Sequence, residues 1–149
     1  MARDRRFINT SKNWEQLRST KRGTVLYEQW LDEETVFLVV RGTICLCAYL
    51  GIPQKHPLGG LDEDVISEIL DVRGGITFQG EGSKIVEHFE DFFFYGWGYA
   101  ESLFDPHIFS SLKKYREKQW LTHNVIQDCQ EAIRSFMQHK KEVENSWNP

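Results

Sequence analysis

The chain has little of what usually announces a specialised chemistry. Only three cysteines (Cys45, Cys47 and Cys129) occur among its 149 residues. That odd count, without a Cys-x-x-Cys spacing, excludes a disulfide framework and a thiolate zinc ribbon. Cys45 and Cys47 stand two apart in a strand-like run, which reads as same-face thiols too local for a useful bridge. Cys129 falls in a helical pattern, so all three read as buried free thiols in a reducing compartment. Apolar runs such as Val36 to Val40 are far too short to cross a bilayer. A formal charge of −4 leaves no general excess of cations for a dedicated DNA or RNA binder. The basic start, Arg3-Asp4-Arg5-Arg6, leads into Asn9-Thr10-Ser11-Lys12 instead of an apolar core, so a secretory signal is not expected and the cytoplasm is. No nucleophile elbow, Gly-Lys-Ser/Thr phosphate loop or dinucleotide fingerprint is present, and the five histidines lack zinc-ligand spacings. No metal and no cofactor is therefore expected.

What is present fits one packed domain over residues 1–149: 40% apolar and 13% aromatic side chains, in a chain long enough to bury roughly two-thirds of its unfolded surface. Charge is unevenly spread. Residues 1–23 carry seven cations against Asp4 and Glu15, whereas residues 61–105 carry eleven acids against Arg73 and Lys84. The two regions can neutralise each other, face solvent, or meet a charged partner.

Periodicity gives the elements. Ser11 can cap a short helix over Asn13 to Ser19. Thr24 to Leu31 and Thr35 to Arg41, separated by Asp32-Glu33-Glu34, read as a hairpin, and a third strand over Thr43 to Leu50 follows Gly42. Connections this short require antiparallel pairing. Gly51 to Leu61, with two prolines and three glycines, reads as a loop. Asp62 to Leu70 fits either a helix or a strand. Short strands are expected over Ile76 to Gln79, before the break at Gly80-Glu81-Gly82, and over Phe92 to Tyr95. From Thr122 or Asn124 the period changes, with Val125, Ile126, Cys129, Ala132, Ile133, Phe136 and Met137 at three- and four-residue steps, while the polar tail over 139–149 is expected to fray. The fold class is α+β, a mainly antiparallel sheet with a C-terminal amphipathic helix packed on one face. An exposed sheet edge makes a homodimer a natural expectation.

Three glycine-punctuated segments stand out: Ala48-Tyr49-Leu50-Gly51-Ile52-Pro53 with His56-Pro57-Leu58, then Val72-Arg73-Gly74-Gly75-Ile76-Thr77-Phe78, then Phe93-Phe94-Tyr95-Gly96-Trp97. Together with Asn124 to Cys129 in the final helix, their order and spacing resemble a group of small bacteriophage proteins. The resemblance covers roughly Val36 to Phe136. It departs at Arg73, where the group has histidine before Gly-Gly, and at Trp97-Gly98-Tyr99-Ala100-Glu101, where the group has Phe-Asp-Cys-x-His. A metal centre built on those side chains cannot be carried over. The resemblance implies an anti-defence role.

The residues point to binding ahead of catalysis. Tyr95, Trp97 and Tyr99 alternate with glycines and on an extended backbone project to one side, where they could stack a planar base. Arg73, with the amides of Gly74 and Gly75 and with Arg41, Lys55 and His56, could receive phosphates. The expected function is sequestration of a phosphorylated nucleotide signal, with no catalytic residue. Two other readings stay open: a hydrolase using His56 with Asp62, Glu63 and Asp64, and an inhibitor that meets a host protein through the acidic middle segment.

Overall fold

The computed structural model describes residues 8–9, 13–99 and 120–147. Six antiparallel strands form a single sheet in the order β1-β2-β3-β4-β6-β5. They are β1 (Ile8–Asn9), β2 (Val25–Trp30), β3 (Val36–Arg41), β4 (Leu46–Pro53), β5 (Phe78–Glu81) and β6 (Phe92–Gly98). Among the described residues three helices accompany them, α1 (Trp14–Ser19), α2 (Glu63–Ile69) and α3 (Thr122–Trp147), with a 3-10 turn at Gly82–Lys84. The fold is α+β, and no helix among the described residues is long and apolar enough to cross a membrane.

Both faces of the sheet are covered. Phe37 and Val39 of β3, Leu46, Ala48, Leu50 and Ile52 of β4, and Tyr95 and Trp97 of β6 join Leu17, Ile66, Ile69, Val125, Cys129 and Phe136 in the helix-side core. The alternate residues Val36, Leu38, Val40, Phe92 and Phe94 point the other way and are closed over by Phe89, Ile85 and Val86 from the loop after the 3-10 turn. Strand alternation produces this division, since successive side chains leave opposite faces. A register shift between Val25 and Tyr27 interrupts it in β2, so the consecutive Leu26 and Tyr27 both reach the helix side.

Several boundaries differ from the sequence expectation for local reasons. Asn13, not Ser11, caps α1: it accepts from the Gln16 amide at 2.9 Å while Gln16 returns the bond to the Asn13 amide at 3.0 Å, a capping box. Ser11 lies outside the described residues, as do Arg3, Arg5, Arg6 and Lys12 of the basic N-terminal segment. The third strand begins at Leu46, because the Gly42 amide bonds the Cys45 carbonyl at 3.0 Å and closes residues 42–45 into a turn. It runs on to Pro53, which ends the strand where no further ladder donor is needed. Asp62 to Leu70 resolves as helix. Ile66, Ile69 and Leu70 turn inward at helical spacing, Val65 stays 47% exposed, and Glu63 and Asp64 sit in the first turn, where the helix dipole favours acids. β5 starts at Phe78 and takes in Gly80 and Glu81, so the expected break falls after it.

The C-terminal helix runs on into the polar tail, whose residues 148 and 149 lie outside the described residues. α3 continues to Trp147, crossing β3 and β4 and packing on α2. Asn124 accepts from the Leu121 amide at 3.1 Å at its start, and Val143 packs on the core two turns beyond Phe136.

Candidate functional site

The aromatic alternation of β6 does put Tyr95, Trp97 and Tyr99 on one side, but that side is the helix-covered core. Trp97 is 1% exposed and Tyr95 and Tyr99 are fully buried, so none of the three forms a surface platform. Their polar atoms are spent internally. The Tyr95 hydroxyl donates to the Leu58 carbonyl at 2.6 Å and accepts from the Leu61 amide at 2.9 Å, pinning the loop after β4. The Trp97 indole N–H donates to the Tyr99 hydroxyl at 3.2 Å, and that hydroxyl donates to Asp128 at 3.0 Å and lies 3.0 Å from the Cys129 sulfur. Burial is the main reason the Tyr99 phenol is pushed far up and the Cys129 thiol is pushed up to about 11.

Arg73 is at the surface end of the same network, with its side chain 42% exposed. Its guanidinium lies 4.9 Å from the Trp120 ring centroid and 3.4 Å from Asp128. Gly74 and Gly75 next to it both have positive φ, 75° and 80°, a turn that a residue with a Cβ adopts only with strain. Lys55 is exposed on the loop after β4. The sequence-predicted set is thus dispersed: Arg73 stacks on Trp120, while Trp97 is enclosed beneath.

His56 is 5% exposed, and both ring nitrogens are engaged. Nδ1 accepts from the Leu58 amide at 3.1 Å, which leaves the proton on Nε2, facing Glu144 at 3.0 Å. Its carboxylate partner therefore comes from α3, whereas Asp62, Glu63 and Asp64 are exposed at the start of α2. Glu144 in turn belongs to an ionic cluster around Lys140, whose side chain is 3% exposed. The ammonium lies 3.0 Å from Asp32, 3.1 Å from Glu34 and 2.5 Å from Glu144. Burial opposes the Lys140 charge, but hydrogen bonds to Glu144, Asp32 and Glu34 more than compensate and raise its pKa. Burial likewise works against the carboxylates of Asp32 and Glu144. Bonds from the Glu34 amide and Lys140 to Asp32, and from Lys140 and His56 to Glu144, lower both below their ordinary range. Glu34, His56 and Glu144 have donor atoms within 4.8 Å of one another, a spacing a metal would accept. Lys140 already supplies the positive charge there, so the cluster reads as a clamp joining the β2–β3 hairpin, the β4 loop and α3.

The opposite face holds a different kind of site. An open cleft of about 540 Å³ lies at the end of the sheet, lined by Arg22 and Gly23, by Val40, Cys47 and Tyr49, by the turn Gly42 to Cys45, by Arg41, and by Lys84 and Ile85. Among the described residues its lining carries three cations and no carboxylate. Arg41 is the fixed one: its guanidinium donates to the carbonyls of Leu17 at 3.2 Å, Arg18 at 3.0 Å and Thr43 at 2.9 Å, tying α1 to the β3–β4 turn. It lends the cleft charge more than free donors, and burial lowers its pKa below the ordinary arginine value. Arg22 and Lys84 are exposed. Glu81, which feels the Lys84 charge, turns its own carboxylate onto the Ser83 amide and hydroxyl at 2.8 and 2.6 Å. Tyr49 is half-buried, held edge-on by Phe78 with ring centroids 6.0 Å apart. Gly96 opposite it allows this close approach, because a Cβ there would lie 2.5 Å from the Tyr49 ring.

Sequence reasoning placed Arg41 in a site but missed Arg22, Lys84 and Tyr49. They are remote in sequence, and only the antiparallel order brings the segment before β2, the β3–β4 turn and the 3-10 turn to one end. Lys140 and Glu144 carried a local signal, their i, i+4 spacing. Scans against protein-family models, curated proteins and solved structures each returned no match.

Proposed function

We propose that the protein binds a phosphorylated small molecule of the nucleotide class in the cleft between Arg22, Tyr49 and Lys84, and holds it without turnover. The observation that carries this reading is the carboxylate-free lining with its three cations. The cleft volume of about 540 Å³ falls within the range of small-molecule sites. Arg22 offers a planar fork to a phosphate and Lys84 a mobile point charge, while Arg41, locked by backbone carbonyls, supplies a fixed positive field. The partly exposed Tyr49 ring gives a base an apolar edge to lie against. His56, the one general-base candidate from the sequence, is enclosed by Leu58 and Glu144 on the other side of the sheet, which favours retention of the ligand over hydrolysis. Sequestration of a nucleotide signal, the role implied by the likeness to phage proteins, requires only affinity and abundance.

The test is thermal unfolding of the full chain against a panel of mono-, di- and cyclic nucleotides, with inorganic phosphate and pyrophosphate as controls. A ligand at about a hundred times its Kd should stabilise the fold by roughly 2.7 kcal/mol. The shift should disappear in Arg22→Ala/Lys84→Ala, two exposed positions whose truncation leaves the fold intact. A shift that survives the double variant would move the site elsewhere.

A further inference from the structure

We propose that Cys47 is a nucleophilic thiol that reacts with hydroperoxides and that Cys45 is the thiol that resolves the product to a disulfide. The inference goes beyond the binding reading and stands or falls separately from it. Both residues line the cationic cleft, Cys47 half-exposed on β4 and Cys45 in the turn before it. As i and i+2 residues of one extended strand they would be held apart, as the sequence alone suggested. Cys45 instead precedes the strand, in the turn closed by the Gly42 amide and the Cys45 carbonyl. The two sulfurs converge on Gly98, the β6 residue paired with Cys47: a Cβ placed there would lie 3.5 Å from the Cys45 sulfur and 3.9 Å from the Cys47 sulfur. The missing side chain at Gly98 leaves room for both.

The surroundings separate the roles of the two thiols. Cys47 is half-exposed in the cleft that Arg22, Tyr49 and Lys84 also line, its sulfur 3.8 Å from the Cys45 carbonyl oxygen, whereas Cys45 is buried at 6% exposure. The neighbouring Cys45 thiol, aided by Tyr49, holds the Cys47 thiol below its ordinary range, whereas the neighbouring Cys47 sulfur and burial push Cys45 up. Cys129 is buried at 1% exposure in the helix-side core, outside the cleft and with its sulfur 3.0 Å from the Tyr99 hydroxyl, and serves as an internal control.

In the first step the Cys47 thiolate attacks one oxygen of a hydroperoxide. An S–O bond forms and the O–O bond breaks, and the alkoxide or hydroxide that leaves takes up a proton. The sulfur is oxidised by two electrons and the peroxide is reduced. In the second step the Cys45 sulfur attacks the sulfenic sulfur, an S–S bond replaces the S–O bond, and hydroxide leaves with the Cys45 proton as water.

The experiment treats the reduced full chain with hydrogen peroxide in the presence of dimedone and follows intact and peptide mass. Wild type should lose two hydrogens within one peptide that contains Cys45 and Cys47, without dimerising. Cys45→Ser should instead yield dimedone adduct at Cys47, and Cys47→Ser should lose the fast reaction. Cys129 should react at least about tenfold more slowly than Cys47. Equal rates at Cys47 and Cys129, a fast reaction that survives Cys47→Ser, or a wild-type product that stops at the sulfenic acid or links two chains would overturn the proposal. Circular dichroism of each serine variant verifies that it is folded, and iodoacetamide labelling of wild type against pH gives a second readout. Its Cys47 midpoint should fall below an ordinary thiol's value of about 8.5, and a midpoint at or above that value would also overturn the proposal.

Discussion

Replacing Lys140 by methionine should destabilise the fold far more than its place in a polar C-terminal stretch implies. The substitution keeps most of the buried aliphatic stem and removes only the ammonium, leaving Asp32, Glu34 and Glu144 around a site without a cation. Breaking a fully buried ion pair costs about 3–5 kcal/mol, whereas an exposed pair is worth about 0–1. Here the ammonium is 3% exposed and its three partners are 35%, 44% and 36% exposed, so water screens one side of the cluster only. The expected loss is therefore intermediate, about 2–3 kcal/mol at neutral pH. In a chain of this size that lowers Tm by roughly 4–12 °C. Urea unfolding at pH 7 and again near pH 4 is the assay. At the lower pH the orphaned carboxylates of the variant take up protons, so the gap to wild type should narrow to below about 1 kcal/mol. A variant as stable as wild type at pH 7, or a gap that does not change with pH, would refute the reasoning.

Wild-type stability should itself follow the same groups. The lowered pKa values of Asp32 and Glu144 give a contribution that is complete above their ordinary values of 3.8 and 4.5 and disappears as the pH falls through the lowered ones. The raised pKa of Lys140 gives one that is complete below its ordinary 10.5 and is lost as the pH rises through the folded value. Thermal melts across the pH range should therefore show a plateau bounded by both transitions. Arg41→Lys keeps the charge but cannot span the carbonyls of α1 and the β3–β4 turn, and it should cost roughly 2–4 kcal/mol by urea unfolding. Gly96→Ala, forced against the Tyr49 ring, should destabilise by roughly 1–3 kcal/mol in the same assay, and Tyr49→Ala in the same chain should relieve part of that loss.

The parts of the fold written in short-range pattern were legible. The β2–β3 hairpin, the antiparallel pairing and the stripe of α3 follow from periods of two and 3.6 residues and from connection lengths. The continuation of α3 was not, because hydropathy scores Lys140 and Glu144 as solvent-seeking and cannot see the carboxylates of Asp32 and Glu34, which approach from more than a hundred positions away. The β6 aromatics show a subtler limit. Alternation places Tyr95, Trp97 and Tyr99 on one side, yet only the tertiary arrangement shows that α3 covers that side and that the glycines, not the rings, face the other. Gly96 and Gly98 leave space for Tyr49 and for the two thiols, so the motif shapes the cleft side by what it omits.

The most direct test of the cleft as an anion site is isothermal titration calorimetry of the full chain with the nucleotide that gives the largest thermal shift, at low and at physiological salt. Saturable one-site binding is predicted, weakening as salt rises, and Arg22→Ala or Lys84→Ala should each reduce affinity by about ten- to a hundredfold, the value of one charge-assisted hydrogen bond. Binding that neither salt nor loss of either cation alters, or no heat from any phosphorylated ligand, would contradict the account.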